Sequence, residues 1–230
     1  MVKKQDFRKL LSSALIATAL AGCSDPKQES IALVTSAQEY IAKRDVRAAG
    51  IELKNALQSD SANTHARFVL GQVHLSVGDA ASAEKELRRA LEGGWNRETL
   101  QPLLVESLLR QGRHDDVLKE TNNLDALPKA DQANLLSMRA MSLWALKRDT
   151  DAQQALATAQ ATSAASPWVI QASLERALSE ERFADAKTVF EQGLAATPTS
   201  PDLWLMKAEL AKRQGASDEQ AQALAKVLES

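Results

Sequence analysis

The chain has 230 residues, 44% hydrophobic, 4% aromatic and 25% charged, with a formal net charge of −2. This is an ordinary soluble composition, long enough for a continuous core, in which Ala and Leu favour stacked helices over a sheet. The mild acidity excludes a nucleic-acid binder, which needs a basic stripe, and the single cysteine, Cys23, excludes an intrachain disulfide.

The first 22 residues differ in kind from the rest. Lys3, Lys4, Arg8 and Lys9 form a basic start, and a mostly apolar stretch from Leu10 to Ala21 follows. The pattern predicts an export signal over 1–22, with an apolar part too short to span a bilayer, which takes about 20 residues. Leu20-Ala21-Gly22-Cys23 then resembles the bacterial lipobox. The resemblance implies that the Cys23 thiol is alkylated with diacylglycerol, that the signal is cut before it, and that the new amine is acylated. Two or more acyl chains hold a protein on a membrane, where one is marginal.

Ser24 follows the cysteine, which by the same resemblance implies the outer membrane, on the periplasmic side of the bacterial cell envelope. Residues 23–29 read as a lipidated tether, with Ser24 to Ser30 polar and reaching about 25 Å if extended. Loss of residues 1–22 removes four cations and one acid, moving the formal charge from −2 to −5. Attachment to the membrane therefore rests on lipid rather than on charge. No cofactor is expected apart from the covalent acyl lipid on Cys23.

From residue 30 to 230 the chain repeats. Ala49, Leu53 and Ala56 return as Ala83, Leu87 and Ala90, each 34 residues on. A period of 34 marks a helix-turn-helix solenoid, whose units bury their apolar faces only by stacking. Units start near Ser30, Thr64, Glu98, Ala133, Pro167 and Pro201, with one extra residue in the Leu124 to Asp131 connection. Gly78 and Gly112 stand where a first helix must end with positive φ, and Pro198 and Pro201 punctuate the last junction.

Small residues recur at the eighth (Ala37, Gly71, Ala140), twentieth (Ala49, Ala83, Ala152, Ala186) and twenty-seventh positions (Ala56, Ala90, Ala159). This frame resembles the tetratricopeptide repeat, which implies an all-α right-handed solenoid of about six helix pairs. Unit three departs from it with Val105, Val117 and Thr121, and unit six with Gln220, so both are expected to pack less tightly. Leu224, Val227 and Leu228 at the last helix are expected to face water or another subunit.

Chemistry-bearing signals are sparse. Glu84 and Arg88 at i,i+4 read as a solvated face. Asp115-Asp116 reads as a helix N-terminus with acidic caps, and Glu92-Gly93-Gly94-Trp95 as a helix stop. His65 and His74 lie nine residues apart, about 13 Å along one helix, too far to share a metal, and His114 belongs to another unit. Neither a nucleophile elbow nor a nucleotide fingerprint appears. The chain is read as a binding protein and not an enzyme.

In tetratricopeptide arrays the first helices line the concave groove. The resemblance assigns that role to Phe68, Gln72 and Leu75 in unit two, Glu106 and Arg110 in unit three, and Met141 and Trp144 in unit four. Trp168, Gln171 and Glu175 follow in unit five. Apolar anchors beside acids and amides suit an extended peptide, with Trp144 and Trp168 as aromatic anchors. Trp204 falls at a core position.

The runs Ala48 to Gln58, Ala66 to Gly71, Ala83 to Leu91 and Leu103 to Gly112, with the lipobox, resemble the tetratricopeptide-repeat lipoproteins of the exosortase/PEP-CTERM system. That resemblance implies a membrane-anchored periplasmic scaffold for protein or peptide partners, linked to exopolysaccharide production and export and to protein sorting. Two alternatives stand beside it: an adaptor or assembly subunit for cell-wall hydrolases, pili or secretion pores, and a glycan-holding subunit that depends on Trp144 and Trp168. Neither nucleic acid nor a small-molecule cofactor is expected as a partner.

Overall fold

The computed structural model describes residues 25–229, so the expected signal and the lipidated Cys23 lie outside the described residues. Twelve helices and no strand occur among them. Units one to three comprise α1 (Pro26–Ala42), α2 (Val46–Ser59), α3 (Thr64–Ser76), α4 (Ala80–Glu92), α5 (Arg97–Arg110) and α6 (His114–Glu120). Units four to six comprise α7 (Lys129–Ala145), α8 (Asp149–Ser163), α9 (Pro167–Ser179), α10 (Phe183–Ala196), α11 (Pro201–Arg213) and α12 (Ser217–Glu229). The expected all-α solenoid of six helix pairs is what forms.

The extended tether is corrected in part. Pro26 takes the first turn of α1, and the Asp25 carboxylate accepts a 3.0 Å bond from the Lys27 N–H, so the helix starts four residues before Ser30. Unit four likewise begins at Lys129 rather than Ala133.

Every unit turns from its first to its second helix in one way. The fifteenth residue is left-handed in all six: Arg44, Gly78, Gly112, Lys147, Glu181 and Gly215, with φ between 56° and 81°. In each, the next N–H reaches back five residues to a carbonyl, as from Asp79 to His74 at 2.9 Å and from Arg182 to Ala177 at 2.8 Å. Only three of these residues are glycine, and the other three accept an unfavourable backbone region.

The second helices of units one to five begin in two ways. Asp45 and Asp79 cap theirs by accepting from Ala48 and Ser82. Arg113, Arg148 and Arg182 occupy the equivalent place without a side-chain cap and instead pair forward with Asp116, Asp151 and Asp185. Asp115-Asp116 thus sits at a helix start as expected, but Asp116 pairs with Arg113 and Lys119 rather than capping amides.

The small residues of the repeat do what their size permits. Ala37, Ala49, Ala56, Ala83, Ala90 and Ala159 are all 0% exposed. At Gly71 a Cβ would stand 2.8 Å from the Leu87 side chain, so the two helices of unit two approach too closely for alanine. Unit three is not loose: Val105 and Val117 are completely buried. Their bulk goes with a shortened seven-residue α6, whose exposed carbonyls are met by side chains, Leu118 by Arg139 at 2.8 Å and Glu120 by Gln101 at 2.6 Å. In unit six Gln220 is only half-buried, Leu224 and Leu228 are exposed, and Val227 is half-buried.

Stacking along the array is asymmetric. The backbones of successive odd-numbered helices approach closely all the way from α1 to α11, whereas those of successive even-numbered helices stay apart and α4 reaches α6 through side chains, as where Arg88 meets Glu120 at 3.7 Å. The odd helices form the tight inner layer and the even helices the splayed outer one. Units two and three are also pinned by charge. Glu84, 8% exposed, accepts from Arg88 (2.8 Å), Gln111 (2.9 Å) and Arg113 (2.6 Å). Burial alone would raise the Glu84 pKa, and these hydrogen bonds outweigh it, holding the carboxyl below its ordinary value. The solvated face expected for Glu84 and Arg88 is therefore a buried joint between units, because Gln111 and Arg113 arrive from the next turn.

Candidate functional site

A concave cavity of about 730 Å³ opens along the inner layer, within the usual range of ligand-binding clefts. All of its lining side chains come from α5, α7, α9 and α11, one helix from each of four successive units. Met141, Trp168, Leu178, Leu205 and Met206 supply an apolar surface, with Leu205 47% exposed. Trp168 is half-buried against the core, and its backbone N–H donates to Asn134 Oδ1 at 3.1 Å, which fastens the start of α9 to α7.

Polar groups ring that surface. Gln171 donates to Glu175 at 3.0 Å, Arg110 is held by Glu106, and Arg213 by Glu209 and the Leu178 carbonyl. The hydrogen bond from Arg213 is the main reason the Glu209 carboxyl lies below its ordinary pKa. Both arginines are thus already paired, while among the described residues Asp202 has no side-chain partner and Glu175 only an amide. Such a cleft offers apolar contact, an amide, and carboxylates to a guest.

A smaller lobe of about 280 Å³ adjoins it, sharing Leu109, Met141, Glu175 and Ser179 with the main cavity. Trp144 lines this lobe with the Arg176 guanidinium 5.0 Å from its ring, and its indole N–H is buried without an acceptor among the described residues.

Of the residues that the repeat frame assigned to the groove, Arg110, Met141, Trp168, Gln171 and Glu175 meet in the main cavity and Trp144 in the lobe. Glu106 stands behind Arg110 as its ion-pair partner. Phe68 and Leu75 are corrected: at 9% and 6% exposed they belong to the core. Trp95 explains Phe68, since it stacks on that ring at 4.8 Å and on His65 at 5.3 Å. Gln72 is exposed on α3 but does not line the main cavity. Trp204 is half-buried, donating its indole N–H to the Pro198 carbonyl at 2.9 Å.

The unit-six wall, with Asp202, Leu205, Glu209 and Arg213, was not assigned from sequence. These four occupy the second, fifth, ninth and thirteenth places of unit six, as Trp168, Gln171 and Glu175 do the second, fifth and ninth of unit five and Arg110 the thirteenth of unit three, so the signal was present. The histidines lie apart. His65 stacks on Trp95, His74 faces Asp79 at 3.4 Å, and His114 is 3.4 Å from Ser142 Oγ. No group of three or more potential metal ligands clusters among the described residues.

The tetratricopeptide repeat profile matches residues 34–98 and 174–230, over half of the chain. The chain belongs to the tetratricopeptide-repeat family. Its members are scaffolds that bind protein or peptide partners, and no catalytic family is indicated. Solved tetratricopeptide-repeat proteins share the fold at low identity. The type IV pilus biogenesis factor PilW is 18% identical, with 87% of this chain and 92% of that one covered and a TM-score of 0.59. PilF of Pseudomonas aeruginosa is 15% identical, with 87% and 90% covered and a TM-score of 0.56. A thermophilic repeat protein of Thermus thermophilus is 18% identical, with 79% and 98% covered and a TM-score of 0.60. No curated protein matches the chain. No described helix is long and apolar enough to cross a membrane.

Proposed function

We propose that this tetratricopeptide-repeat protein is a lipid-anchored scaffold of the bacterial cell envelope that holds an extended peptide segment of a partner in its concave groove. The observation that carries the binding half is the cavity spread over α5, α7, α9 and α11, in which exposed Leu205 and half-buried Trp168 stand beside Gln171 and Asp202. Apolar anchors ringed by polar groups concentrate binding energy, and amides can pair with a peptide backbone. The anchoring half rests on the basic-apolar leader and on Cys23 at its end.

The lipobox and the early repeats support a place in an exosortase-linked exopolysaccharide machine on the periplasmic face of the outer membrane. A second reading, an assembly subunit for type IV pili, is favoured by the extent to which this chain and PilW or PilF cover each other. Fractionation of cells carrying Cys23→Ser tests the anchor: release from membranes is expected, and unchanged membrane association refutes it. Affinity capture from intact cells, compared with a Trp144→Ala, Trp168→Ala double variant, separates the two readings. Polysaccharide-export or sorting components lost in the variant support the first, and pilus components lost in the variant support the second.

A further inference from the structure

The outer layer carries a second groove, distinct from the concave one. Because the backbones of α2 and α4 stay apart, they leave a channel floored by α3: a cavity of about 450 Å³ lined by α2, α3 and α4 runs into one of about 510 Å³ lined by α2, α3 and Val77, and the two share Lys54, Leu70 and His74. Its floor and rim are apolar: Leu70 and Val73 are buried at the base, while Ile51 and Val77 are 56% and 60% exposed. Gly50 lies mid-helix where an alanine Cβ would meet Val73 at an unstrained 3.8 Å, so the bare backbone there is not required by packing.

The charge of this channel runs against that of the chain. Arg47, Lys54, Arg67, Lys85 and Arg89 line it, and Glu86 is the acid among the lining residues. Glu86 is already taken by Arg67 at 2.8 Å, with Arg89 at 3.7 Å, and His74 faces Asp79. Among the described residues, the side chains of Arg47, Lys54 and Lys85 have no ion-pair or hydrogen-bond partner, and all three residues are exposed. A protein with a net charge of −2 thus keeps three uncompensated cations along this channel, Arg47 and Lys54 beside exposed Ile51 and Val77 and Lys85 in the adjoining cavity.

We infer that the channel between α2 and α4 is a second docking site, taking an acidic amphipathic segment of a partner protein. Its apolar side would lie on Ile51, Leu70 and Val77, and its carboxylates would meet Arg47, Lys54 and Lys85. Charge complementarity selects the guest: the concave groove presents Asp202 and Glu175 without a cationic partner and the outer channel presents cations without an anionic one, so one scaffold holds two segments of unlike charge on opposite layers.

Fluorescence anisotropy with two labelled helix-forming peptides tests this site. One carries Leu at i, i+3, i+4 and i+7 flanked by Glu, and the other has every Glu replaced by Lys. The acidic peptide is expected to bind, more weakly as salt rises, and about tenfold more weakly to a Lys54→Glu, Lys85→Glu variant whose circular dichroism matches the wild type. Trp168→Ala should leave that affinity unchanged, which separates this site from the concave one. The inference is overturned by an acidic peptide that fails to bind at about 1 mM, where specific recognition is already negligible, by equal binding of the Lys peptide, or by unchanged affinity in the charge-reversed variant. Two other occupants would also overturn it: phosphatidylglycerol vesicles bound through the same lysines in place of the peptide, or self-association of the wild type that Lys54→Glu, Lys85→Glu abolishes.

Discussion

Replacing Glu84 with Gln keeps the shape of the side chain and removes its charge at the joint between units two and three. Glu84 is 8% exposed and accepts from three side chains, two of them guanidinium groups. A hydrogen bond to a charged group contributes about 1.5–3 kcal/mol when buried. Arg88 and Arg113 are 39% and 42% exposed, so solvent screens part of each pair. A loss of about 2 kcal/mol follows, against ~0.3–0.5 kcal/mol for a surface i,i+4 pair. Urea denaturation read by circular dichroism measures it. In a solenoid the loss falls on one interface between neighbours, so amide exchange should rise in α4 and α5 before α9 and α11.

The same joint predicts a pH dependence. Because folding lowers the Glu84 pKa, its contribution is complete above the ordinary value of 4.5 and disappears as pH falls from there through the folded value. Wild type and Glu84→Gln should differ at pH 7 and converge in acid. A difference below about 0.5 kcal/mol at pH 7, the size of a solvated pair, would refute the joint, as would a gap that persists undiminished in acid.

Two further substitutions probe the backbone. Gly71→Ala drives a Cβ to 2.8 Å from Leu87, which is completely buried, so a destabilisation of about 1–2 kcal/mol is expected after the gain in helix propensity is offset; an unchanged urea midpoint would contradict it. Lys147→Gly relieves a residue held at φ 61° and should stabilise by up to about 1 kcal/mol, whereas a lower midpoint would show that the lysine side chain outweighs the backbone.

The solenoid was legible in the sequence because close helix approach forces small residues to recur at one spacing, and Ala49, Ala83 and Ala152 are buried as that requires. The turns were half legible. Gly78 and Gly112 mark left-handed residues by type, while Arg44, Lys147 and Glu181 take the same conformation because each turn closes the same backbone bond. Glu84 was misread because its deciding partners, Gln111 and Arg113, are 27 and 29 residues away and meet it only when units stack. The groove was legible where inner-layer positions stay open, at Met141, Trp168 and Glu175. It failed at Phe68, which Trp95 covers from a loop that no repeat frame anticipates.

Photo-crosslinking in intact cells tests the concave groove most directly. Benzoylphenylalanine placed at Trp168 or Leu205, on the inner layer, should form a covalent adduct with a discrete envelope protein, and the same probe at exposed Thr150 on α8 should not. Adducts absent from both inner positions, or equally strong from Thr150, would contradict a peptide held between α7, α9 and α11.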